Sequence, residues 1–77
     1  MINDILFLED RRIILISGVK QGLLLYDVSD LKNLVQLSIF GATTFEMNKI
    51  VELDSNKIII TVLGGFLILD ITQPKNI

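Results

Sequence analysis

Asp27 and Asp70 are the residues best placed by type to do chemistry, because repeated carboxylates at strand ends can hold a metal ion or act as general bases. Each is followed two residues later by a hydroxyl, Ser29 and Thr72. In that pattern the carboxylate accepts backbone N–H bonds from the turn that follows, with the hydroxyl assisting, so the expected role is structural. A calcium loop would need several convergent oxygen ligands at Asp-x-Asp spacing, and the sequence lacks it. The chain has no histidine and no cysteine. That removes the commonest metal ligand and general base, any thiolate site and any disulfide framework. Gly64-Gly65 lacks the Lys-Ser/Thr and the following helix of a phosphate loop and reads as a tight bend. Glu9-Asp10-Arg11-Arg12 reads as a solvated hairpin tip, and Tyr26 and the phenylalanines as core packing. No enzyme activity, catalytic residue, metal site or cofactor is expected.

Seventy-seven residues make at most one small domain, which on folding buries only about 60% of its unfolded surface. Yet 51% of the residues are hydrophobic and the mean hydropathy is +0.61. This excess predicts apolar surface that meets another chain or a missing part of the same chain. The strongly apolar uncharged stretch of residues 58–69 is interrupted by Gly64-Gly65 and falls short of the roughly 20 residues of a membrane span. Asp4 and Glu9-Asp10 sit where a signal peptide would be cationic and then apolar. The net charge of −2 comes from scattered residues with Arg11-Arg12 the only adjacent basic pair, so neither a nucleic-acid stripe nor a membrane-binding patch is expected. The compartment stays open.

The elements that position Asp27 and Asp70 are two copies of one pattern. Gly22, Leu24, Asp27, Lys32 and Asn33 recur as Gly65, Leu67, Asp70, Lys75 and Asn76, 43 residues on, with Val28/Ile71 and Ser29/Thr72 as close exchanges. Nearer the N-terminus the offset is 45, which sets Asn3 over Asn48, Ile5 over Ile50 and Ile13-Ile14-Leu15 over Ile58-Ile59-Ile60. The fall from 45 to 43 is assigned to a shorter middle bend in the second copy. A period of this size predicts a repeat architecture.

Short apolar runs bounded by turn formers, the second rich in β-branched residues, predict strands near residues 4–8, 12–17, 23–28 and 34–40 for the first unit, 1–40. A link over residues 41–48 leads to a second unit, 49–77, with strands near 49–53, 57–62 and 66–72 and without its outer strand. Connections of three to five residues permit only antiparallel neighbours. In the second and third strands of each unit apolar residues are consecutive, so both faces should be covered. In the fourth, Val35, Leu37 and Ile39 alternate with Gln36 and Ser38, the period of a strand with one wet face. The expected fold is all-β: antiparallel four-stranded meanders, about one and three-quarter β-propeller blades. A small barrel or sandwich is the competing architecture.

The segments Gly-Leu-Leu-Leu-Tyr-Asp-Val-Ser-Asp and Gly-Gly-Phe-Leu-Ile-Leu-Asp-Ile-Thr-Gln-Pro resemble the LVIVD-type repeat, in which a Gly-led apolar strand ends in Asp, an aliphatic residue, Ser or Thr and a Pro-containing turn. Gly22, Asp27, Val28 and Ser29, with Gly65, Asp70, Ile71, Thr72 and Pro74, match it, and Leu31 stands where Pro is expected. The resemblance implies β-propeller blades, scaffold roles that include cell-surface ones, and no shared catalytic residues.

A non-catalytic interaction or structural scaffold follows as the expected function, as part of a larger propeller or of a multi-chain assembly, homo-oligomers included. Two alternatives are a fragment of an enzyme or carbohydrate-binding propeller whose site lies in other blades, and a subunit that builds an assembly from copies of itself. In a meander successive turns lie at alternate ends. The end that holds residues 18–21 and the link is the expected partner-binding end, with Lys20, Thr43, Thr44, Phe45 and Glu46 as candidates.

Overall fold

Every β-branched run forms a strand. A computed structural model describes residues 1–41 and 46–77. Its strands are β1 Ile2–Leu8, β2 Ile13–Gly18, β3 Gly22–Asp27, β4 Val35–Phe40, β5 Met47–Asp54, β6 Lys57–Val62 and β7 Gly65–Asp70. β1 to β4 make one antiparallel sheet and β5 to β7 a second, each in sequential order and open at both edges. The fold is all-β, two meanders of the predicted kind, with no α-helix among the described residues.

The connections follow from turn chemistry. At the β1–β2 tip a 3-10 turn over Glu9–Arg11 is closed by Arg12 at φ 55°, whose N–H donates to Glu9 O at 3.2 Å. Gly64, at φ 87°, takes the left-handed position of the β6–β7 bend, where a side chain would be strained. Gly22, at φ 73°, does so at the start of β3.

The two sheets pack against each other, β1 and β2 lying against β5. One apolar cluster spans the gap. Leu15, Leu23 and Leu25 come from the first sheet and Met47, Ile58, Ile60 and Ile71 from the second, all essentially without solvent exposure. Polar bonds stitch the same seam. Asn3 Nδ2 donates to Met47 O at 2.7 Å, Ile50 N–H donates to Asp4 Oδ2 at 2.8 Å, and the buried Ser17 hydroxyl donates to Asn48 O.

The strand registers correct the repeat alignment. Ile13 pairs with Asp27 and Gly18 with Gly22 in the first sheet, whereas Lys57 pairs with Asp70 and Val62 with Gly65 in the second. Second strands are therefore offset by 44: Ile13-Ile14-Leu15 correspond to Lys57-Ile58-Ile59, not to Ile58-Ile59-Ile60. The offset falls one residue at a time, once at the hairpin tip and once at the middle bend. Val28 N–H donates to Arg12 O at 2.9 Å, and its counterpart Ile71 N–H donates to Asn56 O at 2.7 Å, which obeys the same count.

In the single chain each sheet buries the face toward the other and leaves its outer face partly open, because each has one neighbour. One expectation about faces is corrected. In β4 the alternation is broken. Leu25 pairs with Ser38 and Tyr26 with Gln36, so Leu37 is an extra residue in a bulge. Leu37 packs against the core, the Ser38 hydroxyl donates to Pro74 O at 2.6 Å, and Val35 and Ile39 are exposed. β5 begins at Met47, so residues 47 and 48 belong to the second unit and not to a link.

Candidate functional site

Asp27 and Asp70 sit where β3 and β7 end. Ser29 N–H donates to Asp27 Oδ1 and Thr72 N–H to Asp70 Oδ1, both at 2.8 Å, and the Thr72 hydroxyl adds a 2.5 Å bond to the same oxygen. Asp54 repeats the motif with Asn56 N–H at 2.8 Å, and Asp30 receives Lys32 N–H at 3.0 Å and Asn33 Nδ2 at 3.1 Å. Donated bonds stabilise the ionised carboxylate and hold its pKa below the ordinary value. The Ser29 N–H does this chiefly for Asp27, the Asn33 side chain for Asp30 and the Thr72 hydroxyl for Asp70. These oxygens are turned onto their own backbone and are not gathered around a common point. Among the described residues, no group of three or more His, Cys, Asp or Glu side chains could hold a metal ion.

The turns sort by end as the meander requires. Residues 19–21, Glu46 and Leu63-Gly64 lie at one end, tied by Val19 N–H to Met1 O at 3.2 Å and by the Ile2–Gly18 and Met47–Val62 pairs. Of the candidate binding residues, Lys20 and Glu46 are exposed at that end. Thr43, Thr44 and Phe45 lie outside the described residues. The repeat positions Gly22 and Gly65 start β3 and β7, and Asp27, Ser29, Asp70 and Thr72 lie at the opposite end.

Arg11 and Arg12 depart from a freely solvated tip. Arg11 Nη2 donates to Ile71 O at 2.5 Å, which ties the first hairpin to the Asp-led turn of the second unit. Arg12 stacks over Phe7, 5.5 Å from its ring centroid. The reason is translation of the repeat: the tip of one unit falls beside the turn of the next.

The feature with the capacity to bind is apolar and lies on the outer sheet faces. On the first sheet, a shallow groove of about 380 Å³ is lined by Ile2, Ile14, Ile16, Leu24, Tyr26 and Val28. On the second, Phe66 at 62% and Ile68 at 54% exposure stand beside the exposed Val51 and the half-buried Ile59. Consecutive apolar residues in β2, β3, β6 and β7 were the signal for these faces. No family model, curated protein or solved structure matches the chain.

Proposed function

We propose that the two sheets are neighbouring blades of a β-propeller or propeller-like assembly that serves as a non-catalytic protein-interaction scaffold. The observation that carries this reading is the pair of outer faces, on each of which apolar side chains from neighbouring strands stand side by side. Isolated exposed hydrophobic residues are ordinary, but contiguous ones on a sheet face mark a surface that another protein covers. The packing of the first strands β1 and β5 beside one another supports it, since first strands of adjacent blades lie nearest the axis of a propeller. The resemblance of the Gly22 and Gly65 segments to LVIVD-type repeats supports it too.

A photo-crosslinking amino acid placed at Leu24 or Phe66 tests the reading in the cell that makes the protein. Protein adducts at both positions, and few at the solvated Lys32, are expected. Faces that crosslink to no protein would sink the scaffold reading.

A further inference from the structure

The repeat equivalences, taken strand by strand, show how the two sheets meet. Leu23 and Leu25, buried between the sheets, correspond to Phe66 and Ile68, which face outward. Leu24 and Tyr26, which face outward, correspond to Leu67 and Leu69, which pack against the core. Each sheet thus presents the opposite side of the same repeat to the interface. The contact is heterologous: one sheet is stepped onto the other, not turned to face it. A heterologous contact leaves both of its halves unused at the two ends.

Those unused halves match. Stepping six of the nine groove residues, Ile2, Ile14, Ile16, Leu24, Tyr26 and Val28, onward by the offset of their strand gives Met47, Ile58, Ile60, Leu67, Leu69 and Ile71. All six of the latter belong to, or pack against, the apolar cluster that holds the two sheets together. The groove is the same surface that the second sheet uses to receive the first. In the other direction, Leu6, Leu15, Leu23 and Leu25, which the first sheet turns to the second, step to Val51, Ile59, Phe66 and Ile68, the outer face of the second sheet. These four replacements are apolar, whereas Ile13, which also belongs to the internal cluster, steps to Lys57.

We infer that the chain self-associates head to tail, the outer face of the second sheet of one copy seating in the outer groove of the first sheet of another and repeating the interface made inside the chain. This rests on the blade reading above and names the occupant of the faces. The contact between copies is weaker than the internal one. Asn48 keeps the place of Asn3, but Lys49 replaces Asp4, whose carboxylate accepts the Ile50 N–H across the internal seam. A constant step closes into a ring or continues as a stack, and a ring of four to eight blades would take about two to four copies.

Two substitutions at positions already more than half exposed test the directionality without disturbing the core: Ile5→Glu, paired with the groove residue Ile16 on the outer face of the first sheet, and Ile68→Glu on the outer face of the second, 55% and 54% exposed. Circular dichroism checks that each variant is folded, and light scattering with size separation reads mass at concentrations up to about 1 mM, the weak end of specific association. The unsubstituted chain should exceed the 8.7 kDa of one copy. Each variant alone should fall to one copy, because every contact needs both faces. The equimolar mixture should recover a pair at twice 8.7 kDa, since one variant keeps its groove and the other its ridge. An unsubstituted chain of single-copy mass, either variant remaining associated, or a mixture that stays at one copy would each overturn the inference. Single-copy mass together with faces that crosslink to a different protein would overturn self-docking and leave the scaffold reading standing.

Discussion

Leu25 and Ile68 occupy the same position of the repeat, so a reading based on the repeat alone gives them the same energetic weight. The fold gives them opposite ones. Leu25 is 0% exposed and sits in the cluster that joins the sheets, whereas Ile68 is 54% exposed on the outer face of the second sheet. Leu25→Ala removes a fully buried aliphatic side chain from a core that cannot fully collapse around the gap, because both sheets are hydrogen-bonded ladders. Its expected cost is about 2–5 kcal/mol. A chain of 77 residues has a total stability of roughly 4–12 kcal/mol at ~0.05–0.15 kcal/mol per residue, so this loss is a large share of the whole. Ile68→Ala, at a half-exposed site of a dissociated copy, should cost under about 1 kcal/mol. Urea unfolding followed by circular dichroism, at a dilution where the chain is a single copy, reads both as midpoint shifts. With a slope of about 1–3 kcal/mol per molar, Leu25→Ala should lower the midpoint by about 1 M or more and Ile68→Ala by a few tenths. Equal shifts would refute the stepped packing, and a larger shift for Ile68→Ala would reverse the assignment of faces.

The remaining predictions concern turns, the seam and acid. Asp27, Asp30 and Asp70 have folded-state pKa values below the ordinary 3.8, so the unfolded chain binds more protons; their stabilisation is present above that value and disappears as the pH falls through the folded values. Thermal melts should therefore fall on acidification below about pH 4, and the acid limb should flatten in Asp27→Asn/Asp70→Asn, whose amide oxygens still accept the turn bonds without titrating. Ser17→Ala leaves Asn48 O without its donor inside the seam and should destabilise the chain by about 1–3 kcal/mol in the same urea assay. Gly64→Ala forces a side chain onto φ 87° and should cost about 1–2 kcal/mol, whereas Gly65→Ala, with a φ outside the left-handed range and nothing within 4 Å of the added carbon, should be near neutral.

Much of this architecture was legible in the residues. The β-branched runs, the short turns and the recurrence of Gly22–Asp27 at Gly65–Asp70 mark all seven strands, their antiparallel order and the carboxylates that close β3 and β7. Those are local properties: strand propensity, turn chemistry and the alternation of side chains act over a few residues. Three features were not legible. The one-residue slip between Ile13-Ile14-Leu15 and their true counterparts is invisible in runs of Ile and Leu, where neighbouring alignments score alike. The bulge at Leu37 reverses the face of β4 without any Gly to signal it.

The choice of buried face is the third, and it is the one that bears on function. In Leu23-Leu24-Leu25-Tyr26 and Phe66-Leu67-Ile68-Leu69 both faces are apolar, so the sequence by itself determines that each sheet has two faces to cover. It carries no mark of which face meets which. Tertiary packing decided that by stepping one unit onto the next, which buries Leu25 and leaves its repeat partner Ile68 in solvent. The physical reason is that two apolar faces of similar character admit either a two-fold contact, which uses the same side of both units, or a stepped one, which uses opposite sides, and only the packing of whole sheets selects between them.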